Sequence, residues 1–274
     1  MMPGCFVTSL LLMASCCAAA VSARGLYAAK NLTSGRPPMN ALASAKSAVA
    51  SKATAQYLDC FDYNNQGGER FRAVDYVPTL YTYNFDNRIS SCCFTGIWLI
   101  YADDYYNENN VGAANWWAYG NNMCTNVPTG FDNAASSLRF TGAPDGWEYD
   151  VLNLYFNDFF IGGEEFLYND AAQLNYDDRA RSVIVTGCSP WTLYQYNNYQ
   201  GNRICVWPAN TAACYPGFYT TAQSLGALAG QVSSARKGCF AKESRLPDNH
   251  MAEGRAVEGG ASGFFPARIA APHN

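Results

Sequence analysis

The sequence predicts an all-β fold in which Greek-key motifs pair into sandwiches between two disordered arms. Three observations predict it. A six-residue block, with an acid or amide at its start and hydroxyls at its end, recurs at a nearly constant spacing. An aromatic hairpin pattern precedes each block. Short alternating runs such as WLIY and LNLY, bounded by Asn, Asp and Gly, fill the remainder without helical periodicity.

The blocks come first, because repeats set the architecture. DNRISS begins at Asp86 and DNAASS at Asp132, and both run on into Phe-Thr-Gly. DDRARS begins at Asp177, so the first three blocks start 46 and 45 residues apart. A worn fourth copy, AGQVSS, covers Ala229 to Ser234. Upstream of each block lies an aromatic, four residues, an aromatic, any residue and Gly. Tyr155/Phe160/Gly162 and Tyr194/Tyr199/Gly201 match it in full. Phe61/Gln66/Gly68 lacks the second aromatic, and Tyr101/Tyr106 is followed by Glu108 where Gly belongs. Four units thus cover about Tyr57 to Cys239. Short antiparallel strands with long returning connections are the material of Greek keys.

The bulk numbers agree with a folded chain. The 274 residues suffice for one large domain or two ordinary ones, and 19 Tyr and 15 Phe can fill a substantial core. The net charge is only −4, with no basic stripe, so no nucleic-acid partner is expected. Residues 1–23 read as a signal peptide, with an apolar run ending in small residues at Val21 and Ala23. No later stretch is long and apolar enough to span a membrane. Residues 24–56 form a low-complexity arm with a sequon at Asn31, and residues 240–274 read as a disordered tail.

Cysteine usage fits export. Beyond the signal segment eight Cys remain, as Cys60, Cys92, Cys93 and Cys124, then Cys188, Cys205, Cys214 and Cys239. Each group of four suits disulfides in an oxidising compartment and allows three pairings. The two His, His250 and His273, both lie in the tail, which leaves no base inside the repeats for a Ser or Cys nucleophile. The acid pairs Asp103-Asp104, Glu164-Glu165 and Asp177-Asp178 are expected to solvate a surface.

A DNRISS-like block is at least a turn, since Asp, Asn and Ser side chains bend the backbone locally. It can also serve a hard cation. Ca²⁺ takes oxygens from carboxylates, hydroxyls, carbonyls and water, and this block offers a carboxylate and a hydroxyl at its two ends.

With both patterns in hand, the chain resembles the βγ-crystallin family. That family's Greek key carries the aromatic hairpin signature, and its calcium-binding members carry Asn/Asp-Asn/Asp-x-x-Ser/Thr-Ser. The resemblance covers about two-thirds of the chain and excludes both arms. It implies two domains of two Greek keys each, residues 57–142 and 143–239. It also implies a pair of calcium sites where the two blocks of a domain meet. Asp86, Ser90, Asp132 and Ser136 would be side-chain ligands, with carbonyls at Arg88 and Ala134. Asn87 and Asn133 would shape the loops, and Ser91 and Ser137 would brace them. The second domain departs from the pattern, because Arg181 replaces the hydroxyl of the third block and AGQVSS lacks its acid. Asp177 and Ser233 would make half-built sites at best.

The expected function is a secreted, calcium-binding, non-enzymatic protein with a structural or extracellular-matrix role, its partners being calcium ions and an extracellular matrix or secreted protein. The alternative is a secreted protease inhibitor or toxin-like module, presenting a rigid loop around Asn121 to Gly130.

Overall fold

The computed structural model describes residues 54–248 and 260–268. The expected signal peptide, the Asn31 sequon, His250 and His273 lie outside the described residues. The first unit opens with a hairpin of β1 (Tyr57–Tyr63) and β2 (Gly67–Ala73), and its block leads into β3 (Ser91–Tyr101). The second contains β4 (Asn115–Asn126) and β5 (Ser137–Thr141). The third holds β6 (Leu152–Tyr155), β7 (Glu164–Leu167) and β8 (Ser182–Val185). The fourth holds β9 (Trp191–Tyr196), β10 (Gln200–Val206), β11 (Gly217–Tyr219) and β12 (Ser234–Lys237). Two strands follow, β13 (Ser244–Arg245) and β14 (Ala261–Phe265).

One rule organises the four units. The strand entering a hairpin pairs with the strand that its own block begins. β1 pairs with β3, β6 with β8 and β9 with β12. β3 serves twice: residues 91–95 close the first unit against β1, and residues 97–101 open the second by pairing with β5. The third segment of each unit crosses to the neighbouring unit. β4 pairs with β3, Val77 bridges to Leu138, β11 pairs with β8, and Ala171 bridges to Ala235. That exchange makes each pair of units a Greek-key sandwich, the second from two four-stranded sheets and the first from one six-stranded sheet whose layers share β3.

Each sandwich closes on its own apolar centre. One gathers Leu58, Phe94, Trp98, Trp116, Phe131 and Phe140; the other gathers Leu154, Val183, Trp191, Leu193 and Tyr219. A third cluster joins them, with Tyr101, Tyr106 and Trp117 against Tyr155, Phe160, Ile184 and Phe218. At this seam lies buried Arg139. It donates to the Phe160 and Gly162 carbonyls at 2.7 and 2.8 Å and to Tyr101 Oη at 3.0 Å.

Three expectations are corrected here. The segment after residue 240 is not structureless: β13 pairs with β10, and β14 pairs with β4. Both are edge strands, each docked on one longer neighbour. The stretch at Asn121–Asn126 is no protruding loop but the end of β4, paired with β3 and stapled by the Cys93–Cys124 disulfide. Glu164 and Glu165 do not solvate a surface; both are buried, Glu165 accepting from Asn175 and Tyr176 amides at 2.8 and 2.9 Å. The cysteines pair within their groups, as Cys93–Cys124, Cys188–Cys214 and Cys205–Cys239. Cys60 and Cys92 are buried thiols 3.0 Å apart on paired strands, and burial pushes the Cys60 thiol up, with Cys92 adding to it.

The missing glycine of the second hairpin has a backbone explanation. Gly162 has φ +74°, and a Cβ there would sit 2.8 Å from Asn157 Nδ2. In the second unit the left-handed run extends through Tyr105, Tyr106 and Asn107, and Glu108 is right-handed at φ −57°. Gly162→Ala is therefore expected to cost roughly 1–2 kcal/mol, and Glu108→Ala close to nothing, in thermal denaturation.

Candidate metal site

Each position of the six-residue block does one job, and the backbone jobs are identical in all four copies. The last Ser ties down the hairpin of its own unit. Ser91 Oγ donates to the Tyr63 carbonyl (2.7 Å) and accepts from the Gln66 amide (2.9 Å). Ser137 does the same with Asp103 and Tyr106, Ser182 with Asn157 and Phe160, and Ser234 with Tyr196 and Tyr199. The fifth residue gives its amide to the carbonyl of the first hairpin aromatic: Ser90 to Phe61, Ser136 to Tyr101, Arg181 to Tyr155 and Ser233 to Tyr194, at 2.8 to 3.0 Å. Because that bond is made by the main chain, Arg181 keeps it.

The second residue is left-handed in every block: Asn87 at φ +55°, Asn133 at +54°, Asp178 at +57° and Gly230 at +63°. Asn, Asp and Gly are the residues that tolerate this region, so Gly230 satisfies the position. The blocks then cross in pairs. The Asn87 amide donates to the Ala135 carbonyl (2.9 Å) and the Asn133 amide to the Ile89 carbonyl (3.0 Å). Asp178 donates to Val232 and Gly230 to Ala180 in the same way, at 3.1 and 2.8 Å. The worn fourth copy is thus structurally equivalent to the others.

The crossing brings half of the sequence-derived ligands together in one cleft. Arg88, Ser90 and Asp132 line one open cleft of about 410 Å³. There the Ser90 hydroxyl lies 3.3 Å from Asn133 Oδ1, and Asp132 accepts from its neighbour Asn133 at 3.4 Å. The reciprocal arrangement sets Asp86 beside Asn87, whose amide is bonded to the strand entry holding Ala134 and Ser136. Asp86 Oδ2 accepts from Asn87 at 2.9 Å, while its Oδ1 is buried with no hydrogen-bond partner. Among the described residues no hydrogen bond reaches the Arg88 or Ala134 carbonyl, and the Ser136 hydroxyl makes none. These oxygens fit a hard cation, which seeks a mixed set of carboxylate, hydroxyl and carbonyl donors.

Sequence reasoning missed Asp62, which lines the same cleft. It directly follows the first hairpin aromatic, and that position was available as a signal. The Arg88 side chain occupies Asp62, with Nη2 2.8 Å from Asp62 Oδ2 and 2.6 Å from Glu69 Oε2. This hydrogen bond holds the Asp62 carboxyl below the usual carboxylate range. Arg88 would therefore meet a cation through its carbonyl, with its guanidinium already committed to acids.

In the second half Asp177, Asp178 and Ser233 line an equivalent cleft of about 550 Å³, with Gln231 in place of Arg88. Ser233 Oγ already donates to the Gln195 carbonyl at 2.8 Å. The mate of that cleft is lost, because Arg181 turns toward Asp158 at 3.4 Å and offers a cation where a hydroxyl stood. No three His, Cys, Asp or Glu side chains converge among the described residues, so each candidate site depends on hydroxyl and carbonyl oxygens as well. No helix among them is long and apolar enough to cross a membrane.

No protein-family model matches the chain, and no curated protein matches it. Solved structures do. Geodin, a βγ-crystallin from Geodia cydonium, is 18% identical and superimposes with a TM-score of 0.52, over 67% of this chain and 99% of its own. A βγ-crystallin from Ciona intestinalis is 20% identical over 32% of this chain and 98% of its own, with a TM-score of 0.28. Protein S, solved in complex with calcium, is 17% identical over 67% of this chain and 99% of its own, with a TM-score of 0.24.

Proposed function

We propose, for a chain with the βγ-crystallin fold, that it is a secreted calcium-binding protein whose role is structural and extracellular. The observation that carries the reading is the reciprocal crossing of DNRISS and DNAASS. It leaves Asp86 Oδ1 buried and unpartnered, and it puts Ser90 and Asp132 from different blocks into one cleft. A divalent cation there would cross-brace two loops that the main chain already joins, and it would stabilise the fold because it binds the folded state. Asp86, Ser136 and the Ala134 carbonyl would hold one ion; Asp132, Ser90 and the Arg88 carbonyl would hold the other. The acid pair at Glu164-Glu165 is spent on structural bonds, which accords with a non-enzymatic protein.

Extracellular calcium modules work at about 10⁻⁴ to 10⁻³ M. A site at the weak end gains roughly 1.4 kcal/mol in about 10 mM calcium. Two such sites should raise the melting temperature by roughly 6–11 °C. Ser90→Arg and Ser136→Arg, which copy the change at Arg181, should each remove about half of that rise. A rise unchanged in the double variant contradicts the reading.

A further inference from the structure

Strand β14 makes the contacts of a bound peptide. It lies at the edge of the sheet and, among the described residues, pairs only with β4, from Ala261 opposite Tyr119 to Phe265 opposite Asn115. Both of its faces are used. Ala261, Gly263 and Phe265 turn toward the cluster shared by the two halves, while Phe264 turns toward the first sandwich. Gly263 lies flat on Trp117, where any Cβ would overlap the indole. Phe264 packs on Phe131 with ring centres 5.8 Å apart, and Phe265 packs on Phe159 at 4.9 Å and Phe160 at 6.3 Å. Beyond the strand, the Arg268 guanidinium sits 3.9 Å over the Phe159 ring. Its Nη2 donates to the Ala113 carbonyl at 3.1 Å and its amide to the Gly112 carbonyl at 2.6 Å.

The partners of this segment belong to different halves. β4, Gly112, Ala113 and Phe131 come from the second unit, and Phe159 and Phe160 come from the hairpin of the third. We propose that the β4 edge and this hairpin form a strand-acceptor site for an extended peptide of pattern Ala-x-Gly-Phe-Phe-x-x-Arg. The chain's own residues 260–268 fill it as a separable clasp across the two sandwiches. Backbone pairing supplies the docking, as in strand addition generally, and the Gly-Phe-Phe alternation supplies the specificity. Gly at 263 is selected by contact with Trp117, and a cation at 268 by the Phe159 face.

The test uses a labelled synthetic peptide of residues 258–270 and two forms of the full chain. One carries Gly263→Val and Phe265→Ser, which should eject its own strand. The other carries a specific protease site in place of residues 251–256 and is cut after folding. The expected result is saturable uptake of the peptide by both altered forms, no uptake by the intact chain, and at least tenfold weaker uptake of a Gly263→Val peptide. If the double variant does not fold, the cut chain decides alone. Uptake by neither form overturns the proposal, as does equal uptake of the Gly263→Val peptide. Calcium enters none of these readouts, so the result stands apart from the function proposed above.

Discussion

Arg139→Ala is expected to lower stability by about 3–5 kcal/mol, the cost of breaking a buried charged network. In melting temperature this is on the order of 10 °C. The side chain is 1% exposed and stands within 3.8 Å of buried Glu164. It also faces the rings of Tyr101, Tyr106 and Tyr155, with centroids 5.2, 4.6 and 4.8 Å away. Burial alone would lower its pKa, but Tyr101 and Glu164 nearby hold it above its ordinary value, so it stays charged. Truncation leaves the Gly162 carbonyl without its donor and Glu164 without its counter-charge, although Tyr101 still donates to the Phe160 carbonyl and Tyr76 to the Glu164 carboxylate. Arg139→Met with Glu164→Gln should recover part of the loss, because neither partner then buries a charge alone. Thermal denaturation of the two variants checks this. Equal losses in both would mean that volume, not charge pairing, sets the cost.

Phe160→Ala should cost a similar amount, about 3–5 kcal/mol, by leaving a cavity at the seam. Phe160 is fully buried and packs on Tyr155, Phe218 and Phe265. Tyr199 holds the same place in the fourth hairpin but is only half-buried, against Tyr194 and near Arg236. Tyr199→Ala should therefore cost less, about 1–2 kcal/mol. Comparable losses would show that the hairpin corner itself, rather than burial between the halves, sets the energy. In neither variant should the calcium response change, since neither side chain lines the crossed blocks.

The fold was legible because its repeating instructions are written in local chemistry. Each block needs a residue that tolerates φ near +55° at its second place and a hydroxyl at its last, and all four copies keep both. What looked like decay in AGQVSS was the loss of the acid at the first place, where a side chain would meet a cation, while Gly230 keeps the left-handed backbone of the second. The candidate ligands were legible for the same reason, since the first and fifth positions are free of fold duties that a side chain must perform. Arg139 was not legible. It sits in a strand between Leu138 and Phe140, and nothing local says that its guanidinium meets a hairpin of the next sandwich. Strand β14 was hidden for a related reason: Ala-Ser-Gly-Phe-Phe has little strand character by itself, and its order comes from Trp117, Phe131 and Phe159. Asp62 escaped because its role depends on a cleft assembled from three separate segments.

Isothermal titration of the intact chain with calcium tests the crossed-block account most directly. The account predicts two binding events, one lost in Asp86→Ala and the other in Asp132→Ala, with both retained in Asp177→Ala. Absence of binding heat in the intact chain, or two events surviving both Asp86→Ala and Asp132→Ala, would contradict it.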